Sequence, residues 1–386
     1  MALTDTTVAV TLGFLPASLA VPDTDHPGLL RAGPRAAAPY GRGSIERHVC
    51  RATDSCRDDA VQPDLLDFGF DRVDLSGIDT LQSAFARVAA AGHISDDEGA
   101  LIRSALEGTV LRTFSGHTLT VRHVASEGFI MRKSGPNGMP VVGTRSTGMN
   151  DHGSATSVHI DQDVYGTPLT QVMDGRAPQL FRHDSPDGKN HDVALMLVNL
   201  WIPLQQITQP LALADGRSVD RRRHQLRFGL GTQSFLERDG DMVINDIWTL
   251  LHDPDQRWYL RSAMDHQSAY VFNTLSTPHG ACILPGEDVA EQWYHWLEDA
   301  EAAVTAGDLA ALDEAVSLVT PALPTEVPAA LRDAIAVMAA VVDEARRDPA
   351  AVCGPRAAEW LTRSRAARNR VIRMSLELRI VISVDT

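Results

Sequence analysis

The stretch from Val193 to Pro203 (VALMLVNLWIP) places the strongest constraint on what this chain can fold into. It is apolar almost without interruption, so it lacks the alternation of a strand with one wet face and reads instead as a strand buried on both faces. It is too short to cross a membrane, and no other apolar run in the sequence reaches the roughly 18 residues a span would need. Such a strand needs a packed layer on each side. It also carries Asn199 and Trp201 into that interior. A buried Asn is ordinarily a structural hydrogen bonder, and a buried Trp is ordinarily core.

The chain can afford such a core, because its 386 residues allow one elaborated domain or two. With 44% hydrophobic and 22% charged residues it has the composition of a folded globular protein. A net charge of -15 argues against nucleic acid as a partner of the whole molecule. Cys50, Cys56, Cys282 and Cys353 form no Cys-x-x-Cys pair, which excludes a thiolate zinc framework and fits a reducing cytoplasm. Val8 to Ala20 is fairly apolar and ends in Ala-Ser-Leu-Ala, but Asp5 is the one charge near it and the first Arg is Arg31, so the basic region of a signal peptide is missing.

Strands are expected over Thr7–Leu12, Asp67–Leu75, Thr109–Phe114, His117–Val124, Gln209–Val219, Ala269–Thr274 and in pieces between Asp241 and Leu260. Helices are expected over Thr80–Ala91 and over Ser95–Glu107, the second with Ser95 as N-cap and acids in its first turn. Lys133 to Gly153 is glycine-rich and reads as a loop placed to close over a site or as plain surface. Beyond Glu287 the chain becomes alanine-rich with apolar residues at helical spacing, over Val289–Val304, Leu309–Val319, Val327–Arg346 and Pro355–Leu378. The last of these carries many arginines, which suit a solvated face, an acidic partner or a membrane surface.

Chemistry concentrates at Val158-His159-Ile160-Asp161-Gln162-Asp163. In a strand, His159 and Asp161 project from one face and Ile160 from the other, so an imidazole and a carboxylate can meet one ion. Far along the chain, His279 sits between Pro278 and Gly280, in a turn after a strand. Two imidazoles and one carboxylate leave three positions of an octahedral ion open, the arrangement suited to non-heme Fe(II); a catalytic zinc with the same ligands stays open as an alternative. A jelly roll brings such distant strands together, because its inward positions converge.

With VHIDQ (158–162), NLW-P (199–203), PLALAD-RSV (210–219) and TPHG (277–280) in this order, and LDFGF (66–70) and HTLTVRH (117–123) upstream, the chain resembles the non-heme iron hydroxylases and desaturases typified by the cephamycin 7α-hydroxylase component and the fungal hydroxylase/desaturases of secondary metabolism. The likeness runs over roughly residues 60 to 290. It implies His159, Asp161 and His279 as iron ligands, and 2-oxoglutarate-dependent activation of O2 to hydroxylate or desaturate a small molecule. Gln162 and Asn199 are then candidates to orient the ligands, and Trp201 and Tyr165 to line the pocket.

One element of that pattern is missing. The distal carboxylate of 2-oxoglutarate calls for a bidentate Arg, and neither Phe272–Thr277 nor Ile283–Asp288 contains a basic residue. Arg217 is the first candidate, followed by Arg122 and Arg132. The expectation is an α+β protein with a double-stranded β-helix (jelly-roll, cupin-like) core and flanking helices over 1–290, and a helical C-terminal extension over 291–386 through which the chain could self-associate. The missing Arg keeps two other readings open, an iron oxygenase independent of 2-oxoglutarate and a non-catalytic binding barrel.

Overall fold

The computed structural model describes residues 6–24, 27–32, 45–57, 62–125, 129–141, 148–161, 195–231, 244–317, 319 and 322–385. Eight strands build its centre: β1 (Ile130–Ser134), β2 (His159–Ile160), β3 (Met196–Pro203), β4 (Leu211–Ala214), β5 (Trp258–Leu260), β6 (Ser268–Asn273), β7 (His279–Ala281) and β8 (Arg373–Asp385). In one sheet the order is β6-β3-β8-β1, and in the other it is β5-β4-β7-β2, with every one of these pairs antiparallel. Apart from β4 and β5, which neighbour each other in the second sheet, consecutive strands alternate between the facing sheets, which is the double-Greek-key order of a jelly roll. Both sheets are widened. Thr7–Phe14 and Glu46–Asp54 extend one edge of the second sheet, and Ile244–Leu250 and Gln225–Gly231 extend the other.

β3 is the strand that the apolar run announced, and every one of its residues is buried. Val198, Leu200 and Ile202 face outward into a core shared with α1 (Asp79–Ala91) and α2 (Asp96–Leu106). Leu81, Phe85 and Val88 of α1 and Ile102 and Leu106 of α2 supply the other half of that core, at the spacing that put them on one helix face. The Ser95 hydroxyl caps α2 by accepting a hydrogen bond from the Glu98 amide at 3.2 Å.

Behind the second sheet stand α3 (Glu287–Ala306), α4 (Leu309–Val316), α5 (Ala329–Arg347) and α6 (Ala357–Asn369). Trp293, Leu297, Met338 and Trp360 of this layer pack against Val158, Ile160, Ala212 and Trp258 on the outer face of the sheet. No described helix is long and apolar enough to cross a membrane. The arginines of α6 turn inward to acids of neighbouring helices: Arg363 pairs with Glu344, and Arg368 with Glu298 and Glu301.

The expected helix over Pro355–Leu378 is corrected by the structure. It stops at Asn369, and from Arg373 the chain runs as β8 between β3 and β1, in the middle of the first sheet. The segment 291–386 is thus not helical throughout; its last strand belongs to the barrel. The reason is its side-chain order. Met374, Leu376, Leu378 and Ile380 share the outward face with the α1/α2 core, while Arg373, Ser375, Glu377 and Arg379 alternate with them. Period 2 buries that apolar set against α1 and α2, whereas a helix would wind it around all sides.

Candidate metal centre

β2 and β7 are hydrogen-bonded neighbours, and their register sets His159 directly opposite His279. Cross-strand partners project to the same face, so the two imidazole rings lie 4.5 Å apart between the sheets. Asp161, the residue just past β2, turns its carboxylate to both. Its Oδ1 is 3.5 Å from His159 Nε2 and 3.6 Å from His279 Nε2. Among the described residues these three form the group able to hold a metal ion, and two bonds of about 2 Å to one ion span such separations.

Tautomer and orientation are fixed by the backbone. His159 Nδ1 lies 2.9 Å from the Ser157 carbonyl, and His279 Nδ1 lies 3.1 Å from the Thr277 carbonyl. Each ring therefore donates through Nδ1–H and presents the Nε2 lone pair to the centre. Asn199 donates from Nδ2 to Asp161 Oδ2 at 3.0 Å, which leaves Oδ1 for an ion. Phe272, opposite Asn199 on β6, packs 4.4 Å from the His279 ring.

Charge is arranged to suit a cation. Burial pushes His279 down to about 4, against the opposing pull of Asp161, so the imidazole is neutral at neutral pH. Burial works to raise Asp161 as well. The neighbouring His279 and His159 and the Arg379 charge overcome it and hold the carboxyl well below the usual range. A carboxylate and the neutral His279 nitrogen thus stand ready as donors to a cation.

Asn199→Leu keeps the side-chain volume and deletes the donor to Asp161. Iron affinity is expected to fall about 10- to 100-fold, read by anaerobic Fe(II) titration, and an unchanged affinity would remove Asn199 from the site.

The other residues singled out in the sequence fall in different places. Trp201 is buried on the inner face, 5.9 Å from Tyr270. Gln162 and Tyr165 lie outside the described residues. The structure does not bring Arg217 to the three donors. Both oxygens of Asp215 hold its guanidinium at 2.9 Å, and it lies 3.9 Å over the Phe68 ring. Arg122 is exposed and donates to Ser383 Oγ at 2.9 Å. Arg132 comes nearer: it joins the inner face through Glu377 Oε1 at 2.7 Å and the Gly153 carbonyl at 3.0 Å, and it feels the charge of Asp161.

The sequence reading missed the inner face of β8. Asn199 pairs with Arg379, Trp201 with Glu377, and Pro203 with Ser375, so Arg373, two further on, shares their face. Arg373 is 2% exposed, with its guanidinium 5.3 Å from the Trp201 ring and a 3.3 Å hydrogen bond from Nη1 to Ser154 Oγ. Burial pulls its pKa down to about 10, which leaves it charged at neutral pH. Arg373 Nε, Ser375 Oγ and Trp201 Nε1 are buried without a hydrogen-bond partner among the described residues. A buried polar group left unsatisfied costs about 1–3 kcal/mol, and Arg373 and Trp201 stand next to each other on the inner face of the barrel.

Fold and site together define a jelly-roll protein with a two-histidine, one-carboxylate centre. A family model described as "Oxidoreductase/YMDC permease-like domain" matches residues 120–283, which include all three donors and stop short of β8. No curated protein matches the chain. Among solved structures it is similar to an iron and alpha-ketoglutarate-dependent endoperoxidase, NvfI, at 14% identity over 98% of this chain and 99% of that one, with a TM-score of 0.47. A variant of the same protein superposes at 15% identity over 99% of both chains, with a TM-score of 0.48. The architecture given above rests on strand order and not on these superpositions.

Proposed function

We propose that the protein is a non-heme Fe(II) oxygenase that uses 2-oxoglutarate and O2 to hydroxylate or desaturate a small molecule of specialised metabolism. The observation that carries this reading is the occurrence, inside one barrel, of a three-donor centre and a buried arginine whose Nε has no hydrogen-bond partner among the described residues. His159, Asp161 and His279 would hold iron through two nitrogens and one oxygen, and three positions would remain for a chelating keto acid and O2. None of the cysteines is part of the group, which disfavours a closed zinc site.

Arg373 and Ser375 suit the far carboxylate of 2-oxoglutarate: a fixed fork of N–H donors beside a hydroxyl, already desolvated, binds a carboxylate in one orientation. The aromatic and aliphatic cluster of Trp201, Leu211, Leu213, Tyr270 and Phe272 between the sheets keeps bulk water from that end. When bound, iron and the keto acid supply O2 activation coupled to decarboxylation; the chain's own part is to bind, orient and exclude. The reading of a decayed, non-catalytic barrel draws on a missing arginine, and the buried Arg373 weighs against it. All four cysteines are unpaired, which fits a cytoplasmic enzyme.

Protein purified without oxygen and supplied with Fe(II), 2-oxoglutarate and O2 is expected to form succinate, and before O2 is added to show the charge-transfer absorption of the chelated keto acid. Loss of both signals would sink the reading. Stoichiometric zinc with no oxygen consumption would favour a hydrolase.

A further inference from the structure

Two of the sequence motifs, LDFGF and PLALAD-RSV, supply none of the three donors, yet both lie against the turn that delivers His279. That turn, Asn273 to Pro278, is buried throughout. Its carbonyl at Thr277 receives Nδ1 of His279 at 3.1 Å, so the position of Thr277 decides the angle of the ring. Thr277 is itself anchored from the side: its Oγ1 donates to the Gly69 carbonyl at 2.7 Å, and the same carbonyl accepts the Asn273 amide at 2.9 Å. One backbone oxygen of the LDFGF loop thus ties both ends of the turn.

The loop is built for this approach. Gly69 has φ +93°, and a Cβ there would meet Thr277 Oγ1 at 2.6 Å, so any side chain at 69 displaces the hydroxyl. The second motif backs the loop. The Phe68 carbonyl accepts the Gly216 amide at 2.9 Å, and Arg217, gripped by Asp215, covers the Phe68 ring. The arrangement runs from Asp215 and Arg217 through Phe68 and Gly69 to Thr277 and ends on His279.

We infer that Thr277, held by the Gly69 carbonyl of the LDFGF loop, is a positioning residue that sets the His279 ring for the metal ion. The inference rests on His279 being a metal ligand. Thr277→Val keeps the shape and deletes the donor, while Thr277→Ser keeps the donor. Anaerobic titration with Co(II), followed by its visible absorption, reads affinity and ligand geometry without turnover. Thr277→Val is expected to bind about tenfold more weakly than wild type, with an altered band, and Thr277→Ser to return to within about twofold of wild type. Gly69→Ala approaches the same bond from the other side and carries the test if Thr277→Val does not fold.

Wild-type affinity in Thr277→Val, or no rescue by Thr277→Ser, would overturn the inference while leaving the metal centre intact. Absence of Co(II) binding by wild type would instead remove the metal-centre reading and the inference with it.

Discussion

Arg373→Ala is expected to raise the 2-oxoglutarate concentration for half-maximal succinate formation by about a hundredfold or more. Removing one partner of a buried, hydrogen-bonded charge pair costs about 2–5 kcal/mol, and each 1.4 kcal/mol is about tenfold. Arg373 is 2% exposed, so bulk water cannot replace it. Arg373→Lys is expected to recover part of the loss, because an ammonium supplies the charge but not the planar fork. Iron affinity should stay near wild type in both variants, since Arg373 touches none of the three donors. Arg217→Ala and Arg122→Ala should leave the 2-oxoglutarate dependence unchanged, because the first is engaged with Asp215 and Phe68 and the second lies exposed on the far side of its strand. Equal 2-oxoglutarate dependence in Arg373→Ala and wild type would move the carboxylate site elsewhere, with Arg132 next in line.

Asp161→Ala is expected to abolish stoichiometric iron binding and, with it, all succinate formation. Asp161 is the sole carboxylate of the group, and its Oδ1 faces both imidazoles. Without it two imidazoles remain beside a buried Arg379 charge, an environment that repels a dication. Metal analysis after anaerobic loading and gel filtration reads the result directly. Removing Asp161 takes a counter-charge from the buried Arg379, which costs stability, so circular dichroism on the same sample establishes that the variant is folded. Iron retained at one equivalent would show that the ion sits elsewhere.

Much of the fold was legible because periodicity survives in the sequence. The apolar run at Val193–Pro203 announced β3, and the 3.6-residue spacing of Leu81, Phe85 and Val88 announced α1. The pairing of Gly69 with Thr277 was not legible, because the two lie more than 200 residues apart and neither carries a charge or an unusual spacing. β8 is a different case. Its alternation over Met374, Leu376, Leu378 and Ile380 is written in the sequence, but it follows directly on an arginine-rich helix, and its polar partners look like a solvated helix face. They are the reverse: a polar face turned into the barrel. Arg373 lies far from His279 in sequence because α3 to α6 come between β7 and β8 along the chain.

By itself, then, the sequence singled out His159, Asp161 and His279, the three residues that the fold brings together. His159 and Asp161 share a strand face because side chains alternate, and His279 is recognisable from its Pro-His-Gly turn; such local geometry travels with the chain. Tertiary structure alone decided what stands opposite them. Which arginine enters the barrel depends on strand pairing between Met196–Pro203 and Arg373–Asp385, and pairing is set by which apolar faces can be buried together, a property of the whole chain that no local window contains.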